Sequence, residues 1–205
     1  MRKVALTLVL LVPTGVFAGP WIEGGAGPWL PFFGAFNTNH NLGVEGKVRI
    51  GYDVEISLPD FFRQYLGPLG SASAFAPYVV LYHTWNSLKP VVWEVQDGDT
   101  VKSGNMLYVG IGGRIYAGGR ESFTYGSFVS LGVVNEYAPS GNNIIGGGSH
   151  TPPKLSPSLF VGLFASYRAL KPLYLFGEVA SESLGSFSGG YTGWAEASVG
   201  VGLNF

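Results

Sequence analysis

The sequence predicts an all-β fold: a closed, antiparallel, up-and-down transmembrane β-barrel of about eight strands. Three observations point there. The 205 residues are 46% hydrophobic and 15% aromatic but only 12% charged, where soluble domains carry about a quarter charged residues. Beyond the N-terminal leader no apolar run approaches the roughly 20 residues of a spanning helix. Segment after segment instead alternates apolar with polar or small residues, the pattern of strands with one face in lipid and one face inward.

The chain opens with a secretory leader. Met1-Arg2-Lys3 is basic, Val4 to Val16 is apolar and Val16-Phe17-Ala18 ends in a small residue before Gly19, which are the three parts of a signal peptide in order. Residues 1–18 are therefore expected to be cleaved, and 19–205 to form the barrel domain. The apolar stretch is too short to span a membrane, and Pro13 and Gly15 weaken it as a helix.

The first strand is expected near 20–30, where Gly and Pro are frequent. The second runs from Leu42 to Ile56, with Leu42, Val44, Val48, Ile50, Tyr52, Val54 and Ile56 on one face and Glu45, Lys47, Arg49, Asp53 and Glu55 on the other. A blurred third strand lies near 75–86. Others follow near 105–117, 123–134, 158–169 and 173–182. The last alternates most strictly: Ala195, Ala197, Val199, Val201, Leu203 and Phe205 share one face, while Trp194, Glu196, Ser198, Gly200, Gly202 and Asn204, mostly small or polar, share the other. Such a count is even, as in bacterial single-chain barrels.

Connections follow the long-outside, short-inside rule of these barrels. Outer loops are expected near 31–41, 87–103, 135–157 and 184–192, and inner turns near 57–74, 118–121 and 170–172. The segment Leu58 to Ser73 is long for an inner turn, and Asp60 to Leu66 reads as one or two helical turns at the interface. Aromatic residues sort to the two rims, as membrane interfaces favour: Phe75, Phe123, Tyr125, Tyr167 and Phe205 to the inner one, Trp85, Tyr137 and Tyr191 to the outer.

At this point the chain resembles the small eight-stranded bacterial outer-membrane barrels typified by OmpA, OmpX and NspA. The resemblance rests on strand count, on alternating turns and loops, and on a final strand ending in Phe205 with Leu203, Val201 and Val199 on its face. It implies an outer-membrane location among outer-membrane lipid and a lipopolysaccharide-type leaflet. It also implies that Phe205 is a signal to the barrel assembly machinery. The long 58–73 connection departs from the pattern, and anchoring to the cell wall through a periplasmic domain after Phe205 is not expected.

The face opposite lipid carries Glu23, Glu45, Lys47, Arg49, Asp53, Arg114, Arg168, Glu178, Glu182 and Glu196. Isolated ions are costly in a narrow, poorly hydrated interior, so these groups are expected to pair, acids from the first, seventh and eighth strands facing Lys47, Arg49, Arg114 and Arg168. Tyr108, Tyr116, Phe128, Phe160, Phe164, Tyr174 and Phe176 add bulk, and an eight-stranded barrel is only wide enough for side chains to fill it. The expected role is structural or surface-interacting, with outer loops available to an extracellular partner. A narrow passage for ions or small solutes is the alternative, and a lipid-modifying barrel enzyme the third reading.

The loops carry weaker signals. Asp97-Gly98 is a hairpin turn signal, so strands on either side should continue as a projecting ribbon. Glu94, Asp97 and Asp99 fall short of a full calcium-ligand set. Ala138 to Pro157 reads as a mobile loop, rich in Gly, Asn, Ser and Pro. No catalytic residues are assigned: the histidines are His40, His83 and His150, and none shows the spacing of a nucleophile and its base. Thr84, next to His83, points to the opposite strand face. Gly110, Gly112 and Gly113 lack a strand-to-helix context for nucleotide binding and are expected to thin the wall for aromatic packing. No cofactor or metal is implied. The chain has no cysteine, and its 12 Lys and Arg against 13 Asp and Glu recruit no nucleic acid.

Overall fold

The computed structural model describes residues 17–33, 40–55, 74–87, 95–96, 99–100, 105–118, 123–137, 156–185 and 191–205. Its strands in chain order are β1 (Phe17–Phe33), β2 (Gly43–Glu55), β3 (Ala74–Trp85), β4 (Val95–Gln96), β5 (Asp99–Thr100), β6 (Asn105–Gly118), β7 (Phe123–Tyr137), β8 (Ser156–Leu170), β9 (Leu173–Gly185) and β10 (Tyr191–Asn204). Eight of them close in the order β1-β10-β9-β8-β7-β6-β3-β2, every neighbouring pair antiparallel. None of the described residues is helical. The expected leader up to residue 16, the helical turns at 60–66, the Asp97-Gly98 turn and the loop at 138–155 lie outside the described residues, although β4 and β5 pair on either side of Asp97-Gly98. The expected cleavage point after Ala18 falls inside β1, whose Phe17 pairs with Val54.

Closure accounts for the backbone. An open sheet in lipid would strand a row of N–H and C=O groups at each edge, and a barrel has no edge. The seam between first and last strands extends from Trp21 opposite Asn204 to Phe33 opposite Gly193. Its turn-side end is fastened by the Phe205 amide, which donates to the Pro20 carbonyl at 3.0 Å. Gly19 lies against the Phe205 carbonyl with φ of +123°, a conformation that side-chain-bearing residues avoid.

The two strand faces differ sharply. Ile50, Val79, Ile111, Leu131, Leu163 and Val199 are exposed on the outside, together with apolar neighbours on every barrel strand. A surface of this kind suits hydrocarbon and not water. Strands of 12 to 17 residues exceed the roughly 9–11 needed to cross the hydrocarbon layer. The third strand alternates as regularly as the rest; it looks blurred in sequence because Tyr78, Val80 and Tyr82 turn inward while Val79 and Leu81 turn outward, so both faces are apolar.

Bulk inside is accommodated by missing side chains in the wall. A Cβ on Gly112 would stand 2.6 Å from the Tyr78 ring, one on Gly25 2.9 Å from Phe176, and ones on Gly110 and Gly132 would collide with Tyr108. Gly113 does the same on the lipid side, under Phe75. Glycine on one strand thus forms the slot for an aromatic on another.

Candidate functional site: the barrel lumen

Alternation and register decide which charges meet. Glu23 on β1 faces Arg49 across the ladder, and Ser198 on β10 faces Glu178 on β9, which stacks the charged residues in layers along the lumen. Nine of the ten charged residues named above are no more than 7% exposed. Arg168, near the end of β8, is the half-buried exception.

In the layer nearest the short turns, Arg114 donates through both terminal nitrogens to Glu23 at 2.7 and 2.5 Å, and the Tyr174 hydroxyl donates to the same carboxylate at 2.8 Å. The Arg114 guanidinium stacks 4.0 Å from the Trp21 ring centre and 4.8 Å from that of Phe164. Below it, Asn204 donates to Asp53 at 3.1 Å.

The middle layer belongs to Arg49 and Lys47. Arg49 clasps Glu178 with two bonds of 2.5 and 2.8 Å, lies over Phe128 at 4.7 Å and reaches Glu23 at 3.8 Å. Lys47 donates to Glu178 at 2.5 Å and to Glu196, and pairs with Glu45 at 3.1 Å. Its ammonium also sits 5.7 Å from the Tyr82 ring and 5.6 Å from Phe160. A desolvated ammonium thus meets three carboxylates and two ring faces, each of which replaces part of its lost hydration.

Toward the loops, Glu182 accepts from Ser158, and Tyr108 shares a 2.9 Å hydrogen bond with Ser130. Above them lies an aromatic lid. Trp29 and Trp194 are wholly buried with ring centres 5.8 Å apart; Tyr82 stacks under Trp194 at 6.5 Å, and His40 packs edge-on to Trp29 at 5.7 Å.

Glu23, Arg114, Arg49, Glu178, Lys47, Glu45 and Glu196 therefore form one chain of ion pairs across and along the lumen. Glu182 and Asp53 stand beside it on hydroxyl and amide donors. Arg168 corrects the expectation that it pairs with an acid: it sits at the turn-side mouth, on the same cavity wall as Asp53, with no ion pair among the described residues. Trp21, Trp29, Trp194, Tyr78 and Tyr82 were missing from the expected filler. Their parity gave them away, since Trp29 shares a face with Glu23 and Trp194 with Glu196. Among the rim aromatics, Trp85, Phe123, Tyr125, Tyr167 and Phe205 are exposed on the outer surface, while the side chains of Tyr137 and Tyr191 lie outside the described residues.

An apolar outer wall around a charged, filled interior defines the class: an outer-membrane type of β-barrel, with eight strands. Among solved structures the chain is similar to Neisserial surface protein A, at 11% identity and a TM-score of 0.52, over 93% of this chain and 99% of that one. It also aligns with the outer membrane protein Ail of Yersinia pestis, at 13% identity and a TM-score of 0.42 over 91% and 99% of the two chains. A major outer membrane protein of Thermus thermophilus aligns at 10% identity and a TM-score of 0.42, over 92% and 100%. No family model matches the sequence, and no curated protein does. The fold is that of the small eight-stranded outer-membrane barrels.

Proposed function

We propose that this chain is an integral protein of a bacterial outer membrane whose lumen is a solid, ion-paired strut and whose interactions are made by its outer loops. The observation that carries this reading is the chain of ion pairs from Arg114 to Glu196. It spends seven of the charged groups of the lumen on one another, where a conducting pore would leave them facing water. The aromatic lid of Trp29, Trp194, Tyr82 and His40 adds a second barrier on the loop side.

In this reading the barrel is a scaffold and not an enzyme. Rigid barrels commonly present recognition through loops, and two long connections, 86–104 between β3 and β6 and 138–155 between β7 and β8, lie on the end opposite the short Lys171-Pro172 turn. Assembly into the membrane through the Phe205-bearing strand belongs to the same proposal.

An epitope tag inserted between Asn142 and Asn143 tests location and orientation together. Intact cells should expose the tag to antibody and to added protease, with the protein recovered in the outer-membrane fraction. A tag reached only after the outer membrane is permeabilised would contradict the reading.

A further inference from the structure

The turn-side mouth of the lumen holds a group of residues that the ion-pair chain leaves unused. A cavity of about 50 Å³ lies there, walled in part by Trp21, Asp53, Arg114, Thr124, Ser166 and Arg168. Two independent features mark it as a site and not a packing gap. Arg168 is a half-buried cation with no ion pair among the described residues. The Thr124–Ser166 hydroxyl pair on the same wall is the second.

The remaining groups narrow the chemistry. Thr124 and Ser166 hydrogen-bond to each other, and of two paired hydroxyls one always keeps a proton to donate elsewhere. Guanidinium and hydroxyl donors together suit an oxyanion, and arginine is the residue that best matches phosphate. Asp53 stands on the same wall, accepting from Asn204 at 3.1 Å. Next to a carboxylate a bare anion is repelled, but one that also carries an O–H can donate to it. The volume matches a group of about four water molecules, taking roughly 10–15 Å³ for each.

We propose that this vestibule binds a phosphate group that retains one proton, as inorganic phosphate or as a phosphate monoester. Arg168 supplies the charge, the Thr124–Ser166 pair orients the oxygens, and Asp53 accepts the remaining proton. The group reaches this mouth either free in solution or on a lipid.

The test uses the refolded full barrel in dodecyl maltoside, which carries no phosphate, observed by NMR at the Arg168 side chain and the Thr124 and Ser166 amides. Inorganic phosphate should shift these signals saturably. Phosphatidic acid, and not diacylglycerol, in mixed micelles should do so if the lipid is the source, and a response to either phosphate probe supports the proposal. Arg168→Gln should weaken binding at least tenfold, and Arg168→Lys less. Thr124→Val gives a second readout should Arg168→Gln fail to refold. Sulfate, which has no proton for Asp53, should bind at least tenfold more weakly than phosphate. No saturable shift with either phosphate probe, unchanged affinity in Arg168→Gln, or equal binding of sulfate would overturn the assignment.

Discussion

Arg114 on β6 lays both terminal nitrogens on the carboxylate of Glu23 on β1, at 2.7 and 2.5 Å. The two strands are not neighbours in the barrel order, so this pair bridges the lumen where a ladder pair would only reinforce the wall. Arg49 on β2 and Glu178 on β9 repeat the device one layer up. Crossing pairs of this sort tie opposite walls together and bar the passage in the same act.

Removing one partner of such a pair strands a buried charge, which costs roughly 3–5 kcal/mol. Arg114→Met should lower the unfolding free energy of the vesicle-reconstituted barrel by that amount in urea titrations. The double variant Glu23→Leu with Arg114→Met should recover most of the loss, because no lone charge remains. A double variant as unstable as the single one would show that the pair does more than satisfy its own members.

Lys47 serves three carboxylates where Arg114 serves one. Lys47→Met should therefore be the most destabilising single change in the lumen, exceeding Arg114→Met in the same titration. Adding Glu196→Gln should restore part of the stability, since the Glu45 and Glu196 carboxyl groups then no longer repel. Equal losses for Lys47→Met and Arg114→Met would argue against the shared cation.

Two glycines separate wall thickness from chain flexibility. A Cβ on Gly162 would meet the Phe128 ring and stand 2.6 Å from the Val179 carbonyl, whereas one on Gly24 has nothing within 4 Å. Gly162→Ala should cost about 1–3 kcal/mol through overpacking. Gly24→Ala should be neutral or stabilise by about 0.4–1 kcal/mol, because alanine restricts only the unfolded chain.

The lipid-facing assignment has its own test at Ile111, midway along β6 and 69% exposed. Ile111→Arg should destabilise the barrel in bilayers by about 2–4 kcal/mol, as expected for a cation near the midplane. A neutral result would mean that this face meets water.

The strands were legible because period-two alternation survives wherever one face is greasy and the other is polar, as in Val44 to Val54 and Ala195 to Phe205. The rule weakened at Tyr78 to Tyr82, where inward tyrosines make both faces apolar, and at Trp29 and Trp194, whose parity points inward against the habit of placing tryptophan at rims. Which lumen residues exist was readable from parity alone. That acids of the first, seventh and eighth barrel strands meet Lys47, Arg49 and Arg114 was readable as well; which acid takes which cation was not, because Glu23 with Arg114 and Lys47 with Glu196 are set by cross-barrel stagger, a property of closure that no local window contains. Arg168 shows the limit: its parity is inward, but its height along β8 places it at the mouth, where it makes no ion pair among the described residues.

The central claim is that the lumen is closed, and single-channel recording in planar bilayers tests it most directly. The account predicts that the purified, refolded protein stays electrically silent over a range of salt concentrations, with insertion verified by protease protection. Discrete, reproducible openings by the unaltered protein, abolished or resized by Arg49→Ala or Glu196→Ala, would contradict the ion-paired strut and make the lumen a conducting path.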